Sequence, residues 1–189
     1  MEKQQIPILA EEAAIHNARM SGYDPLALEN QNRHSMQCGL ITDVIGCETG
    51  ALTNPLIINM ALCGDRENVR FRSGIRAAEA AFLPQAKYVR RLFQVWWLTL
   101  ESSVPQAKKK DREDRVAFCW KQHDFLVCLE PFAHANGSTA RIMYYMLATA
   151  LGLPHQVITS GKATIYFEHQ RRYRETEFAP KMRALGYIS

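Results

Sequence analysis

The sequence predicts a mainly helical single domain, and three observations lead to this prediction. After Pro84, apolar residues recur at helical spacing and form one stripe: Val89, Leu92, Phe93, Trp96 and Trp97. A second segment opens at Asp111 with an acidic first turn, which favours a helix start. A third segment, residues 139–153, is apolar on every side, as in a helix surrounded by others. With 189 residues, 47% of them hydrophobic, the chain is long enough for one buried core.

The other predicted elements are shorter. Residues 9–20 favour a helix, 21–50 one or two helices with loops, and Asn54-Pro55 opens a helix that stops at Gly64. Residues 69–83, with Ser73-Gly74 at their centre, favour a small irregular β-hairpin. The helix after Pro84 is predicted to end near Leu100, followed by a loop. Two final helices are predicted at about 161–176 and 180–185.

Composition argues against several classes of protein. The net charge of +4 is small and no motif that reads nucleic acid accompanies it, so we expect no nucleic-acid partner. The longest apolar run, residues 142–153, is too short to cross a bilayer, and we expect no signal peptide because the N-terminal residues lack an apolar core and soon turn acidic. We therefore expect a cytoplasmic protein without membrane contact. The five scattered cysteines favour buried thiols over a disulfide frame or a zinc site.

The loop between the second and third of these helices has the composition of an anion site. Pro131 cannot continue the helix that ends near Glu130, and Asn136-Gly137 leads into the next helix. The first amide groups of a helix lack intrahelical partners and carry partial positive charge, and a glycine lets a ligand approach the backbone. The alternative is a plain turn with Ser138 as an N-cap and no ligand.

The same loop resembles the motif of the Fic (fido-fold) family, His-Pro-Phe-x-(Asp/Glu)-(Gly/Ala)-Asn-Gly-Arg-x-x-Arg. Pro131, Phe132, Asn136, Gly137 and Arg141 stand as they do in that family. Residues 70–97 resemble the family's flap hairpin, which is followed by a proline and an amphipathic helix. The resemblance is best over residues 70–154 of a single domain, 1–189. It implies a Fic-like helical bundle with a small β-hairpin flap, and a relationship to protein adenylyltransferases.

Three positions depart from the motif where the family does its chemistry. Glu130 stands at the place of the histidine that takes a proton from the target hydroxyl, and a carboxylate is the weaker base. His134 stands at the place of the acidic residue that holds Mg²⁺, an ion that prefers oxygen ligands. Ser138 replaces the first phosphate-binding arginine, whereas Arg141 keeps the second. Whether the chain is an enzyme is left open by these changes.

Two further interpretations concern the same residues. Glu130 and His134 could have exchanged roles, with His134 as the base and Glu130 as a metal ligand; alternatively both are ordinary polar residues. Residues 25–30 resemble the end of the family's inhibitory helix, which implies a contact between Glu29 and Arg141. Pro25 departs from that pattern, so a chance match is the alternative.

The leading hypothesis is a catalytically degenerate Fic-like protein that binds a nucleotide, an anion or a partner protein. ATP or another nucleotide is the expected ligand, held by Asn136, Gly137, Ser138 and Arg141, with little contribution from Mg²⁺. The alternative is a divergent transferase that moves AMP, or another phosphate-linked group, onto a protein Ser, Thr or Tyr hydroxyl. A toxin or effector that uses the fold for contact with a protein partner is a third possibility.

Overall fold

The mainly helical prediction is confirmed. The computed structural model describes residues 6–27, 30–46, 52–63, 71–74, 81–154 and 157–188. Its α-helices are α1 (Ile6–Met20), α2 (Gln31–Gly46), α3 (Pro55–Cys63), α4 (Ala86–Ala107), α5 (Arg112–Leu129), α6 (Asn136–Ala150), α7 (Ala163–Tyr173) and α8 (Ala179–Ala184). Among these described helices, none combines the length and apolar character needed to cross a bilayer.

Helix α6 is the centre of the domain. Its side chains are buried continuously from Ser138 to Ala148, and it packs against α2, α3 and α5. Helix α1 packs on α2, and its alanine-rich face lies in the same core. Because α6 is apolar on all sides, it can be stable only where other helices surround it. Gly152, in the left-handed conformation with φ 66°, follows its last turn.

Helix α5 begins and ends where the sequence predicts. The Asp111 side chain accepts a hydrogen bond from the Asp114 amide (2.8 Å), which caps the first turn. At the other end Glu130 adopts the left-handed conformation with φ 44°, and Pro131 follows. A proline cannot continue the helix, so the chain turns into the loop that precedes α6.

Helices α1 and α6 each begin three residues before the predicted start, and two further predicted boundaries are also wrong. Helix α4 continues past Leu100 to Ala107, because Ala107 lies two turns further on the same buried stripe. Pro105 falls in the last turn, where it removes only the one helical hydrogen bond that its amide would donate to the Glu101 carbonyl. At the C-terminal end, α7 passes through a π-helical turn (Arg174–Phe178) directly into α8, without the predicted break. This wider turn precedes Pro180, which cannot donate a helical hydrogen bond.

The predicted hairpin is not seen in the part of it that the structure describes. Phe71 forms an isolated antiparallel bridge with Phe132, and the Arg72 amide donates to the Pro131 carbonyl (3.0 Å). Within residues 71–74 and 81–83 no strand is formed. Residues 69, 70 and 75–80 of the predicted hairpin lie outside the described residues. The short extended segment at Phe71 therefore pairs with the loop before α6.

The cysteine prediction holds for two thiols. Cys119 and Cys128 are buried, and burial raises the pKa of each to about 12. Cys38 is half-buried, while Cys63, at the end of α3, is exposed, contrary to the prediction. Cys47 lies outside the described residues. Each of the four described cysteines is a free thiol.

Candidate functional site

The loop before α6 is closed by the side chain of Asn136. Its Oδ1 accepts a hydrogen bond from the Phe132 amide, and its Nδ2 donates to the Phe132 carbonyl, both at 2.8 Å. The Phe132 ring is buried and packs against Phe71 and Phe93, with centroids 5.9 and 5.4 Å away. Core packing thus holds Phe132 in place, and the two hydrogen bonds of the Asn136 side chain join the two ends of the loop.

Free backbone amides mark the start of α6. Ala135 adopts the left-handed conformation (φ 57°, ψ 22°), and no side chain caps the helix. The Thr139 amide donates to the Ala135 carbonyl (2.9 Å), so the amides of Asn136, Gly137 and Ser138 precede the first helical bond. A left-handed residue followed by a helical one turns successive N–H groups to one side, a geometry that suits an anion.

Ser138 is not the N-cap that the plain-turn alternative required. It lies inside α6, is buried, and its Oγ is 2.9 Å from Ser21 Oγ at the end of α1. Its hydroxyl is therefore directed at a neighbouring helix, away from the amides of its own first turn. The capping part of that alternative is wrong, because α6 begins two residues before Ser138.

Arg141 is a buried cation at this end of α6. Its side chain is 2% exposed. Its Nε donates to Asn17 Oδ1 (2.5 Å) and its Nη2 donates to Ser21 Oγ (2.9 Å). These acceptors are neutral, and none of the carboxylates among the described residues forms an ion pair with Arg141. A buried charge without a counter-charge is costly, and the positive end of the helix dipole adds to that cost.

Gly137 lets the guanidinium of Arg141 lie against the first turn of α6. A Cβ atom at Gly137 would be 3.1 Å from Arg141 Nη1, closer than ordinary van der Waals contact. The glycine thus has a packing reason in this structure. It places a guanidinium nitrogen beside the same turn that carries the free amides, so positive charge and hydrogen-bond donors converge there.

Glu130 and His134 occupy different surroundings. The Glu130 carboxylate accepts from Arg174 Nη2 (2.6 Å), and its backbone carbonyl accepts from Arg72 Nε (2.8 Å). His134 is exposed, and its carbonyl accepts from Asn59 Nδ2 (3.0 Å). No described hydrogen bond joins the two side chains, so nothing in the geometry favours an exchange of roles.

The donor set at this loop does not fit Mg²⁺. The ion requires oxygen ligands, and here an arginine already holds the Glu130 carboxylate while His134 offers nitrogen. Among the described residues, no group of three or more His, Cys, Asp or Glu side chains is arranged to hold a metal ion. The residues that this loop presents are suited to an anion and not to a hard cation.

The proposed inhibitory contact cannot be placed. Glu29 lies outside the described residues, and its distance to Arg141 stays a prediction. Its neighbour Asn30 is described, and the Asn30 Nδ2 donates to the Asp24 carbonyl (2.9 Å). The shortest described hydrogen bonds of Arg141 are instead those to Asn17 on α1 and to Ser21, the residue after α1.

Several residues that build this site were not predicted from the sequence. Asn17 stands on the buried alanine face of α1, and Asn59 is a polar residue within the apolar helix α3. Asn59 Nδ2 also donates to Thr139 Oγ1 (3.0 Å). A polar residue on an apolar face must find a partner when buried, so both could have been flagged. Arg72 and Arg174 carry no comparable local signal.

The sequence matches no model of a known protein family, and no curated protein is significantly similar to it. The resemblance to the Fic family therefore depends on the motif and on residues 70–97 alone.

Proposed function

We propose that this chain is a catalytically degenerate Fic-like protein that binds an anionic group, such as the phosphates of a nucleotide, at the start of α6. The observation that supports the proposal is Arg141: a buried guanidinium, hydrogen-bonded to neutral groups, beside uncapped amides. An anion there would supply the counter-charge that the described residues lack.

Access to this position is from the loop. Asn136 and Gly137 are partly exposed, and Ala133 and His134 are exposed. In the proposed site, a phosphate oxygen that approaches from the loop accepts from these amides and from the Arg141 guanidinium. The dipole of α6 contributes about 0.3–1 kcal/mol to such binding, so we expect weak affinity for a lone phosphate.

The geometry does not support AMP transfer. The base position holds Glu130, whose carboxylate is paired with Arg174, and Ser138 at the first-arginine position contacts Ser21. A missing positioned base alone costs about 10²–10⁴-fold in rate. With labelled ATP and Mg²⁺ we expect no AMP adduct by mass spectrometry. An adduct that disappears in Glu130→Ala or His134→Ala would contradict this proposal and favour a divergent transferase.

Calorimetric titration tests the anion site. Phosphate, ATP and GTP are titrated into the parent protein, into Arg141→Gln and into Arg115→Gln. Arg115 is the matched control, because its Nη1 donates to the Leu151 carbonyl (2.7 Å) at the opposite end of α6. We expect saturable binding to the parent, weakened about fivefold or more in Arg141→Gln and unchanged in Arg115→Gln.

Two results would refute the anion site: no saturable binding to the parent, or equal weakening by both arginine variants.

Restoring the family's residues provides a second test. The triple variant Glu130→His, His134→Asp, Ser138→Arg is expected to bind nucleotide more tightly than the parent. Because Ser138 is buried against Ser21, the same change is also made together with Ser21→Gly, which gives the new arginine room.

A further inference from the structure

A second group of polar residues, buried except for His169, lies between α5 and α7, and we call it the Asp124 network. Asp124 Oδ1 accepts from His123 Nδ1 (2.9 Å) and Gln170 Nε2 (2.6 Å), and Oδ2 accepts from His169 Nε2 (2.8 Å). His123 Nε2 is 3.0 Å from the Tyr166 hydroxyl. Since Nδ1 of His123 donates to Asp124, Nε2 accepts from Tyr166. Both ring nitrogens of the buried His123 are therefore hydrogen-bonded.

Two members of this network, Tyr166 and His169, line a cavity of about 500 Å³. The cavity lies between α5, α6, α7 and the segment that leads into α7. Aromatic rings of Trp120, Tyr144 and Tyr166 line it, together with the aliphatic side chains of Ile158 and Ile165. Its volume falls within the usual range for sites that hold small organic molecules.

The aromatic wall is held in place before any ligand arrives. Tyr166 is fixed by its hydrogen bond to His123, and His169 by its bond to Asp124. The Trp120 ring packs against Tyr144, with centroids 4.7 Å apart. A surface whose side chains are already ordered loses less conformational entropy on binding, which favours affinity for a flat apolar group.

The charges around the cavity favour an anion. Lys162 lines it at the surface and, within the described residues, has no ion-pair partner. None of the described lining residues is acidic. The nearby Asp124 carboxylate already accepts three hydrogen bonds and does not line the cavity. The Tyr144 hydroxyl and the Thr159 side chain, which also line it, add polar atoms that a ligand can use.

We propose that this cavity binds a small organic anion: a flat aromatic body against Trp120, Tyr144 and Tyr166, with a carboxylate at Lys162. This cavity is separate from the proposed anion position at the start of α6. Binding in the cavity does not require an anion at that position. The two are nevertheless neighbours, because the Arg141 guanidinium lies 5.9 Å from the centre of the Tyr166 ring.

The test compares two probes of the same shape by calorimetry: 2-naphthylacetate and its neutral amide, 2-naphthylacetamide. We expect both to bind, with the carboxylate tighter by roughly three- to fivefold, the size of a partly exposed charge interaction. Lys162→Met should remove this preference, because it removes the charge from an exposed position. The control Lys181→Met removes an equally exposed charge from α8 and should leave the preference unchanged.

A second pair of variants locates the site. Ile165 lines the cavity yet is 68% exposed, so a charged side chain there should not unfold the protein. Ile165→Glu should weaken the carboxylate more than the amide, and Ile165→Lys should tighten it. Leu185→Glu, at the exposed end of α8, is the control. The proposal is overturned if neither probe binds, if the preference survives Lys162→Met, or if Ile165→Glu acts no differently from Leu185→Glu.

Discussion

Arg141 and Asp124 are both buried charges, yet they are satisfied in different ways. Asp124, 3% exposed, receives hydrogen bonds from two imidazoles and an amide. Burial by itself raises the pKa of Asp124, but the hydrogen bonds from His123, Gln170 and His169 outweigh it and hold the pKa below its ordinary value. Arg141, 2% exposed, donates to a side-chain amide and a hydroxyl, and no described carboxylate pairs with it.

We interpret this difference as one between a charge that stabilises the fold and a charge that, in the proposed function, is met by a ligand. A buried carboxylate surrounded by donors belongs to the fold, and its removal leaves donors without acceptors. A buried guanidinium that donates only to neutral acceptors, at the positive end of a helix, has no compensating negative charge. We therefore expect changes at Asp124 to act on stability and changes around Arg141 to act on anion binding.

The largest expected effect is that of Asp124→Ala. Removing the carboxylate leaves His123, His169 and Gln170 without their shared acceptor, and we expect a loss of about 3–5 kcal/mol in the free energy of unfolding, measured by urea denaturation. Asp114→Ala removes an exposed carboxylate from the same helix and should cost less than about 1 kcal/mol. If the two losses were equal, the Asp124 network would not be the structural charge that the comparison requires.

The second effect is a loss of stability in acid. Burial lowers the pKa of His123, despite the opposing influence of Asp124, so below its unfolded pKa of about 6.5 the unfolded chain binds a proton that the folded protein does not. Unfolding is then favoured as pH falls, by up to about 1.4 kcal/mol per pH unit. Asp124 acts in the same direction below about pH 4, since its folded pKa is also lowered.

The free energy of unfolding, measured between pH 7.5 and 5, checks this expectation. His123→Gln should flatten the slope below about pH 6.5, because glutamine does not titrate. His134→Gln, in the exposed loop, serves as the control and should follow the parent. A parent slope that persists in His123→Gln would assign the acid sensitivity to other residues.

The third effect is that of Glu130→Gln, which should lower the free energy of unfolding and raise the affinity for phosphate. Glu130→Gln weakens the pair with Arg174, whose two side chains are about a quarter exposed, and we expect a loss of about 1 kcal/mol. It also removes a negative charge near the start of α6, so phosphate should bind about twofold more tightly. Glu175→Gln, which changes an exposed pair with Arg171 (3.9 Å), should alter neither quantity measurably. Weaker phosphate binding in Glu130→Gln would contradict this account.

The smallest effect is that of Ser21→Ala. Its Oγ meets both Ser138 Oγ and Arg141 Nη2, so its loss should cost about 0.5–1 kcal/mol in the free energy of unfolding. The loss should shrink in phosphate buffer, because an anion can replace the hydroxyl as a partner of Arg141. Ser35→Ala, on the exposed face of α2, should have no such dependence. A cost that is the same with and without phosphate would argue against anion binding at Arg141.

Helix ends were predicted correctly where a capping residue or a proline determines them without opposition from tertiary packing. Asp111 and Pro131 fix the ends of α5, and both are visible in the sequence. The end of α4 was missed because Pro105 and its neighbouring serines favour a loop, whereas the burial of Ala107 in the folded domain decides for helix. Tertiary packing outweighed local preference there.

The sequence identified the motif residues of the candidate site but not the residues that hydrogen-bond to them. Asn136, Gly137 and Arg141 were identified from the motif, but Asn17 and Ser21, which contact Arg141, lie 124 and 120 residues away in sequence. No local pattern reports a contact at that distance. The Asp124 network was missed for the same reason, since only His123 and Asp124 are neighbours along the chain and their partners lie on α7.

The two hydrogen bonds between the Asn136 side chain and the Phe132 backbone should make the loop tolerant of substitutions at its exposed positions. One side-chain amide satisfies both backbone groups of Phe132, so these two bonds do not involve the side chains of Ala133 and His134. Positions 133 and 134 are exposed, so other chemistries can be installed there while the frame remains intact. Asn136 itself is the exception: Asn136→Asp would keep the acceptor and lose the donor, which converts a two-point attachment into a hinge.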